Sequence, residues 1–181
     1  MPGAPSRSEV VARFDAAVER RVEGIRSPTL DPVFYGLSIA AEHSRLWHAL
    51  AWIRGIASGR PDEARRMSSA LGIESFVTNI VVKGFVGRVR PERPELDGPQ
   101  PYGMRIPITS SFPSGHATAA FTAAVFLSDG DPALAPIWFG LAGAVGFSRI
   151  YVRMHHASDV VAGAALGLVL GRVLRRILQP R

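Results

Sequence analysis

The feature that most constrains this chain is an alternation: apolar runs at residues 67–87, 116–128, 133–148 and 160–171 are separated by polar or basic connectors. None of the four reaches the roughly 18–20 uncharged residues that mark a membrane helix on hydropathy alone. Their small residues favour a membrane bundle over a buried core helix of a water-soluble protein. Gly163, Gly167 and Gly171 recur every fourth residue, on one face of a helix, where backbones can approach closely in lipid. In water so many glycines would weaken a helix. Gly140, Gly143 and Gly146 predict similar close packing for the preceding run.

The length of 181 residues suits one domain with a real core. Residues 1–30 read as a tail and an amphipathic helix, and residues 31–181 as the membrane-embedded domain. Residues 1–8 read as disordered, with no apolar signal-peptide core following. Over 9–26, Val11, Phe14, Val18, Val22 and Ile25 repeat at helical spacing. That stripe fits either a surface helix of a globular protein or a helix lying in the cytoplasmic membrane interface. Pro28 and Pro32 bracket a break. Residues 33–57 are apolar but interrupted by Glu42, His43 and Arg45, which allows one awkward span or two short helices. The predicted fold is all-α, a membrane-embedded bundle of about five to six helices with an N-terminal amphipathic helix.

The formal net charge is +6, and Lys83 is the only lysine among 21 cationic residues. The arginines are scattered or sit at the ends of apolar segments, without aromatic interleaving, which argues against a nucleic-acid partner. Cysteine is absent, so there is no disulfide framework, thiol nucleophile or cysteine-ligated metal. If the four runs each cross a membrane, Arg54, Arg60, Arg65 and Arg66 share one side with Arg172, Arg175, Arg176 and Arg181. The positive-inside rule makes that side cytoplasmic. The long loop 88–115 and the connector 149–158 then share the opposite face. A phosphate site there would account for the basic character of that loop.

Three clusters fall on that face. In the first, Lys83 and Arg90-Pro91 are separated by two helical turns, so a continuous helix would point both cations one way. Such a pair is costly at a membrane edge unless an anion lies between. The bland alternative is a snorkelling lysine before a basic interface loop, in which Arg88 is an ordinary member. The second is Pro113-Ser114-Gly115-His116 at the start of a helix. Ser114 can cap it, Gly115 lets a ligand approach, and the N-terminal amides favour phosphate. An ordinary capped start with a surface histidine explains the same residues. The third runs from Ser148-Arg149 to His155-His156 and Asp159. A carboxylate four residues from His155 can fix its tautomer and leave the other ring nitrogen free to attack. The alternative is a histidine and an aspartate at a helix start. His43 and His48 read as structural, and His156 as structural or supporting. Glu92, Glu95 and Asp97 read as solvated loop charges.

Taken together, Lys-x6-Arg-Pro, Pro-Ser-Gly-His and Ser-Arg-x5-His-x3-Asp resemble the three-part signature of the type 2 phosphatidic acid phosphatase superfamily, which includes vanadium haloperoxidases and some bacterial acid phosphatases. The signature covers residues 83–159 without substitution. The resemblance implies that His155 attacks phosphorus, oriented by Asp159, and that His116 protonates the leaving oxygen and then activates water. It implies phosphate contacts from Lys83, Arg90, Arg149, Ser114 and the amide of Gly115, with no metal and no cofactor. Its implied partners are membrane lipids and a lipid phosphate, polyprenyl or glycerolipid, with the site on the extracytoplasmic face of the inner membrane of a bacterial envelope. Vanadate mimics phosphate, so a vanadate-dependent haloperoxidase or a soluble-type acid phosphatase on the same scaffold stays open. So does an inactive lipid-binding membrane protein, although an unbroken set of site residues argues against it.

Overall fold

A computed structural model describes residues 6–91, 101–104 and 109–179. The expectations for Glu92, Glu95, Asp97 and Arg181 lie outside these residues. Seven α-helices and no strand occur among the described residues, so the all-α class holds: α1 at the N-terminus and six helices after it. They are α1 (Arg7–Glu23), α2 (Asp31–Ala40), α3 (Arg45–Ala57), α4 (Pro61–Phe76), α5 (Gly115–Gly130), α6 (Ala135–Tyr151) and α7 (Ala157–Ile177).

The region 33–57, which the sequence left open between one span and two short helices, is two helices. The chain breaks between them at His43 (φ 51°) and Ser44 (φ 59°), both in the left-handed region that side chains disfavour. Among the described residues two segments are long and apolar enough to cross a bilayer, Pro132–Tyr151 with 20 residues and Ala157–Ile177 with 21. Helical geometry carries both past the purely uncharged runs, because Arg149 and Asp159 lie within their ends rather than outside them.

The centre of the bundle is α5, packed between α6 and α7. Buried alanines of α5, together with Trp47, Leu71 and Val145, make the main core. The glycine ladder of α7 lies against α5 as its spacing predicts. A Cβ on Gly163 would meet the Ser114 carbonyl oxygen and Ala117, one on Gly167 the Thr118 carbonyl oxygen, and one on Gly171 Val125. The close approach also lets Thr122 Oγ1 donate to the Gly167 carbonyl at 3.1 Å. In α6 the expectation holds only for Gly146, which meets Val160; nothing approaches Gly140 or Gly143 within 4 Å.

The bundle has two chemically distinct ends. At one, the Arg54 guanidinium donates to the Leu127 carbonyl and Arg175 pairs with Asp129. At the other lie the starts of α5 and α7 and the end of α6. The N-terminal segment corrects the expected disorder over residues 6–8. Helix α1 begins at Arg7, capped by Ser6, whose hydroxyl accepts from the Glu9 amide at 3.3 Å. Its inward face carries Asp15 and Val22, while Val11, Phe14 and Ile25 of the expected stripe are 41 %, 45 % and 49 % exposed. Carboxylates set the orientation: Asp15, Glu19 and Glu23 each bind the segment between α6 and α7 or its edge. This places α1 at the end of the bundle opposite the arginine-rich one.

Candidate active site

Lys83 follows α4 through a π-helical stretch at Val77–Val82 and a 3₁₀ turn at Lys83–Phe85. The chain is extended from Val86, so Lys83 and Arg90 do not share a helical face. They converge all the same, because the extended segment folds back across the end of the bundle. The Arg88 amide donates to Ser110 Oγ, and Ser111 donates its amide to the Arg88 carbonyl and its hydroxyl to the Val89 carbonyl. Arg90 is held by the Met154 carbonyl at 2.7 Å and the Thr109 carbonyl at 3.1 Å.

Ser114 caps α5, its Oγ accepting weakly from the Ala117 amide at 3.5 Å, while its own amide donates to the Asp159 carbonyl at 3.0 Å. That second bond ties the start of α5 to the start of α7. Gly115 leaves its flank open to Lys83, whose Nζ would lie 3.7 Å from a Cβ built there. His116, in the first turn of α5, has a buried Nε2 without a hydrogen-bond partner among the described residues. Such an orphaned polar atom in a folded interior marks a place where a ligand or water completes the bonding. Arg149, near the end of α6, is buried and reaches the hydroxyl of Ser38 on α2.

His155 precedes α7 rather than lying in it. Its Nδ1 is 2.7 Å from the Ser111 carbonyl oxygen and 3.7 Å from Asp159 Oδ2. A carbonyl can only accept, so Nδ1 carries the proton and Nε2 keeps its lone pair, with Arg90 Nη1 3.5 Å away. The immediate tautomer anchor is thus Ser111, with Asp159 behind it at ion-pair range. Loss of water, the largest cause, pushes the imidazole down to about 3 against the pull of Asp159, and Arg149 and Arg90 lower it further. The ring is therefore neutral at physiological pH.

Lys83, Arg90, Gly115, His116, Arg149 and His155 line one cleft of about 280 Å³. Ser114 and Asp159 stand behind its wall, fully buried. His43, expected to be structural, lines the cleft too, whereas His48 bonds Ser68 Oγ at 3.0 Å as a structural residue would. Sequence reasoning missed Ser111, Ser38, Asp15 and above all Arg88. Arg88 Nη1 lies 2.5 Å from Asp159 Oδ1 and Nη2 2.6 Å from Asp15 Oδ2. The first expectation, an ordinary interface arginine, is wrong because its partners are carboxylates buried by tertiary packing. An aspartate at position 15, in helical register with Val11, Val18 and Val22, was the available signal.

Three cations, a helix N-terminus and a neutral anchored imidazole form an arrangement suited to phosphoryl transfer in an all-helical scaffold. The model of the PAP2 superfamily matches residues 63–181, and the chain belongs to that family. It is a phosphatase. The decaprenylphosphoryl-5-phosphoribose phosphatase of Mycobacterium tuberculosis is 33 % identical over 142 residues, covering 77 % of this chain and 75 % of that protein. Among solved structures, the transmembrane PAP2-type phosphatidylglycerolphosphate phosphatase from Bacillus subtilis matches with a TM-score of 0.73 at 28 % identity, over 94 % of this chain and 87 % of that one. LpxE from Aquifex aeolicus matches with a TM-score of 0.72 at 26 % identity, over 89 % and 94 %.

Proposed function

We propose that residues 31–181 form a multi-pass inner-membrane domain that hydrolyses the phosphomonoester of a lipid phosphate on the extracytoplasmic face. The observation that carries this reading is the convergence of six signature residues, from three separate segments, on the cleft around His155. The lipid character of the substrate is supported by the mycobacterial relative, whose name specifies a decaprenyl-linked phosphate, and by the Bacillus structure, a phosphatidylglycerolphosphate phosphatase. Polyprenyl and glycerolipid phosphates are both within this class. The inner membrane and the outward face rest on the two long apolar helices and on the arginine-rich opposite end.

In this mechanism Lys83, Arg90 and Arg149 neutralise the equatorial oxygens, helped by the Gly115 amide at the start of α5. Ser114 supports them by capping that helix. His155 Nε2 forms a bond to phosphorus as the bond to the lipid oxygen breaks, and His116 delivers a proton to that oxygen. Positive charge appearing on the His155 ring is stabilised through Nδ1 by the Ser111 carbonyl and Asp159. Water then attacks phosphorus, giving its proton to His116, and the P–N bond breaks to regenerate His155. The chemistry relies on positioning and charge neutralisation. The test is phosphate release by detergent-solubilised protein from polyprenyl phosphate, polyprenylphosphoryl-5-phosphoribose, phosphatidic acid and phosphatidylglycerophosphate, beside a soluble monoester. Turnover of at least one lipid well above the soluble ester is expected; preference for the soluble ester would refute the lipid reading.

A further inference from the structure

Helix α1 lies outside the family match and outside the signature, yet it reaches the catalytic cluster through ionised groups. Asp15 is 4 % exposed despite its charge. Its Oδ1 accepts the Ser158 amide at 2.8 Å, and its Oδ2 accepts the Ser158 hydroxyl at 2.8 Å and Arg88 Nη2 at 2.6 Å. Arg88 Nη1 continues to Ser158 Oγ at 2.7 Å and Asp159 Oδ1 at 2.5 Å. The other Asp159 oxygen accepts the His156 amide at 2.9 Å and faces His155 Nδ1 at 3.7 Å. One turn on, Glu19 holds His156 Nδ1 at 2.6 Å.

We infer that Asp15 is a positioning residue for phosphoryl transfer, acting from the N-terminal helix through Arg88 to set the charge and placement of Asp159. This rests on the reading of His155 as nucleophile. The chain of groups alternates in sign: Asp15 negative, Arg88 positive, Asp159 negative, then an imidazole that becomes positive as its Nε2 bonds phosphorus. Without Asp15, the full charge of Arg88 falls on Asp159 and cancels the field that the developing imidazolium needs. Low-dielectric surroundings make this cancellation matter. A buried carboxylate paired with a half-buried arginine is costly to keep for packing alone, since apolar residues of similar volume do that as well. The same network makes α1 part of the active enzyme, because the groups joining it to the bundle are those around the nucleophile.

The test uses the full chain in detergent with a hydrolysed lipid phosphate. Asp15→Asn is nearly isosteric and keeps an oxygen for Ser158, but removes the charge. Its kcat is expected to fall on the order of 10–100-fold, the scale of a misaligned catalytic group. KM should stay within about threefold, because Asp15 does not touch the cleft, and thermal midpoint should change little. Arg13→Gln, on the exposed side of α1, serves as the neutral control. The double variant Asp15→Asn/Arg88→Gln removes both charges and is expected to turn over faster than Asp15→Asn alone. A merely structural network would make the double variant slower than the single. Wild-type kcat in Asp15→Asn, or a double variant slower than the single, would overturn the inference. So would failure of both variants to fold, since the network would then hold the fold. His155→Ala measured in parallel separates the two readings: if it remains active, the nucleophile is wrong whatever Asp15 does.

Discussion

Placing a methyl group on Gly163 tests how far the α5–α7 contact sets the chemistry. A Cβ there would lie 2.5 Å from the Ser114 carbonyl oxygen, 3.1 Å from Ala117 Cβ and 3.2 Å from Thr118 Oγ1, where ordinary contact begins at 3.4 Å. The first obstacle is backbone, so no side-chain rotation relieves it. An interior packed to crystal density offers no slack, and the two helices must part by about 1 Å. Overpacking of this kind costs about 1–3 kcal/mol. The displacement falls where it hurts most, since the Ser114 amide bonds the Asp159 carbonyl and the next two residues are Gly115 and His116. A shift of about 1 Å at a reacting centre costs on the order of 10²-fold in rate. Gly163→Ala is therefore expected to lower both thermal midpoint and kcat, measured in one detergent with one lipid phosphate. Gly143→Ala is the comparison: nothing lies within 4 Å, so helix propensity alone should act, stabilising by up to about 1 kcal/mol. Equal effects of the two substitutions would refute the argument that the glycine ladder sets the site.

Lys83→Arg should cut kcat/KM severely with little loss of stability, because a wider planar fork cannot take the place of a compact ammonium beside Gly115 and two guanidiniums; an interface anchor would tolerate it. His155, near 3 when folded and about 6.5 when unfolded, makes stability rise with pH between those values. The unfolded chain binds the extra proton there, so the thermal midpoint should fall as pH drops from 6.5 toward 4. The drop should be smaller in His155→Gln, and equal slopes would contradict the buried neutral ring. In intact cells a cysteine replacing Tyr102 should react with an impermeant reagent, and one replacing Arg172 only after permeabilisation; the reverse pattern would invert the proposed topology.

Local signals in the sequence carried the parts of this protein that depend on spacing. The glycine ladder gave the close-packing face of α7, and the three clusters gave six of the residues that line the cleft. Nonlocal pairing was invisible in the same residues. Arg88 resembled its neighbours because an arginine beside a loop gives no hint of two carboxylates, one of them 73 positions away in the chain. Ser111 acts through its carbonyl, which every residue possesses, so no side-chain pattern could mark it. The apolar repeat of α1 marked the helix, but its spacing gave no sign that Asp15, Glu19 and Glu23 would bind it to the rest of the bundle. Lys83 and Arg90 meet by a turn of extended chain rather than by helical periodicity.

Covalent trapping at His155 bears most directly on the mechanism. The purified protein would be mixed with a lipid phosphate labelled at phosphorus, quenched in alkali within milliseconds to preserve phosphoramidate, digested and mapped by mass spectrometry. Label on His155 is expected, absent from His155→Ala, which should be folded but retain no more than a few per cent of wild-type turnover. Label on another residue, or near-normal turnover by folded His155→Ala, would contradict nucleophilic attack by this histidine.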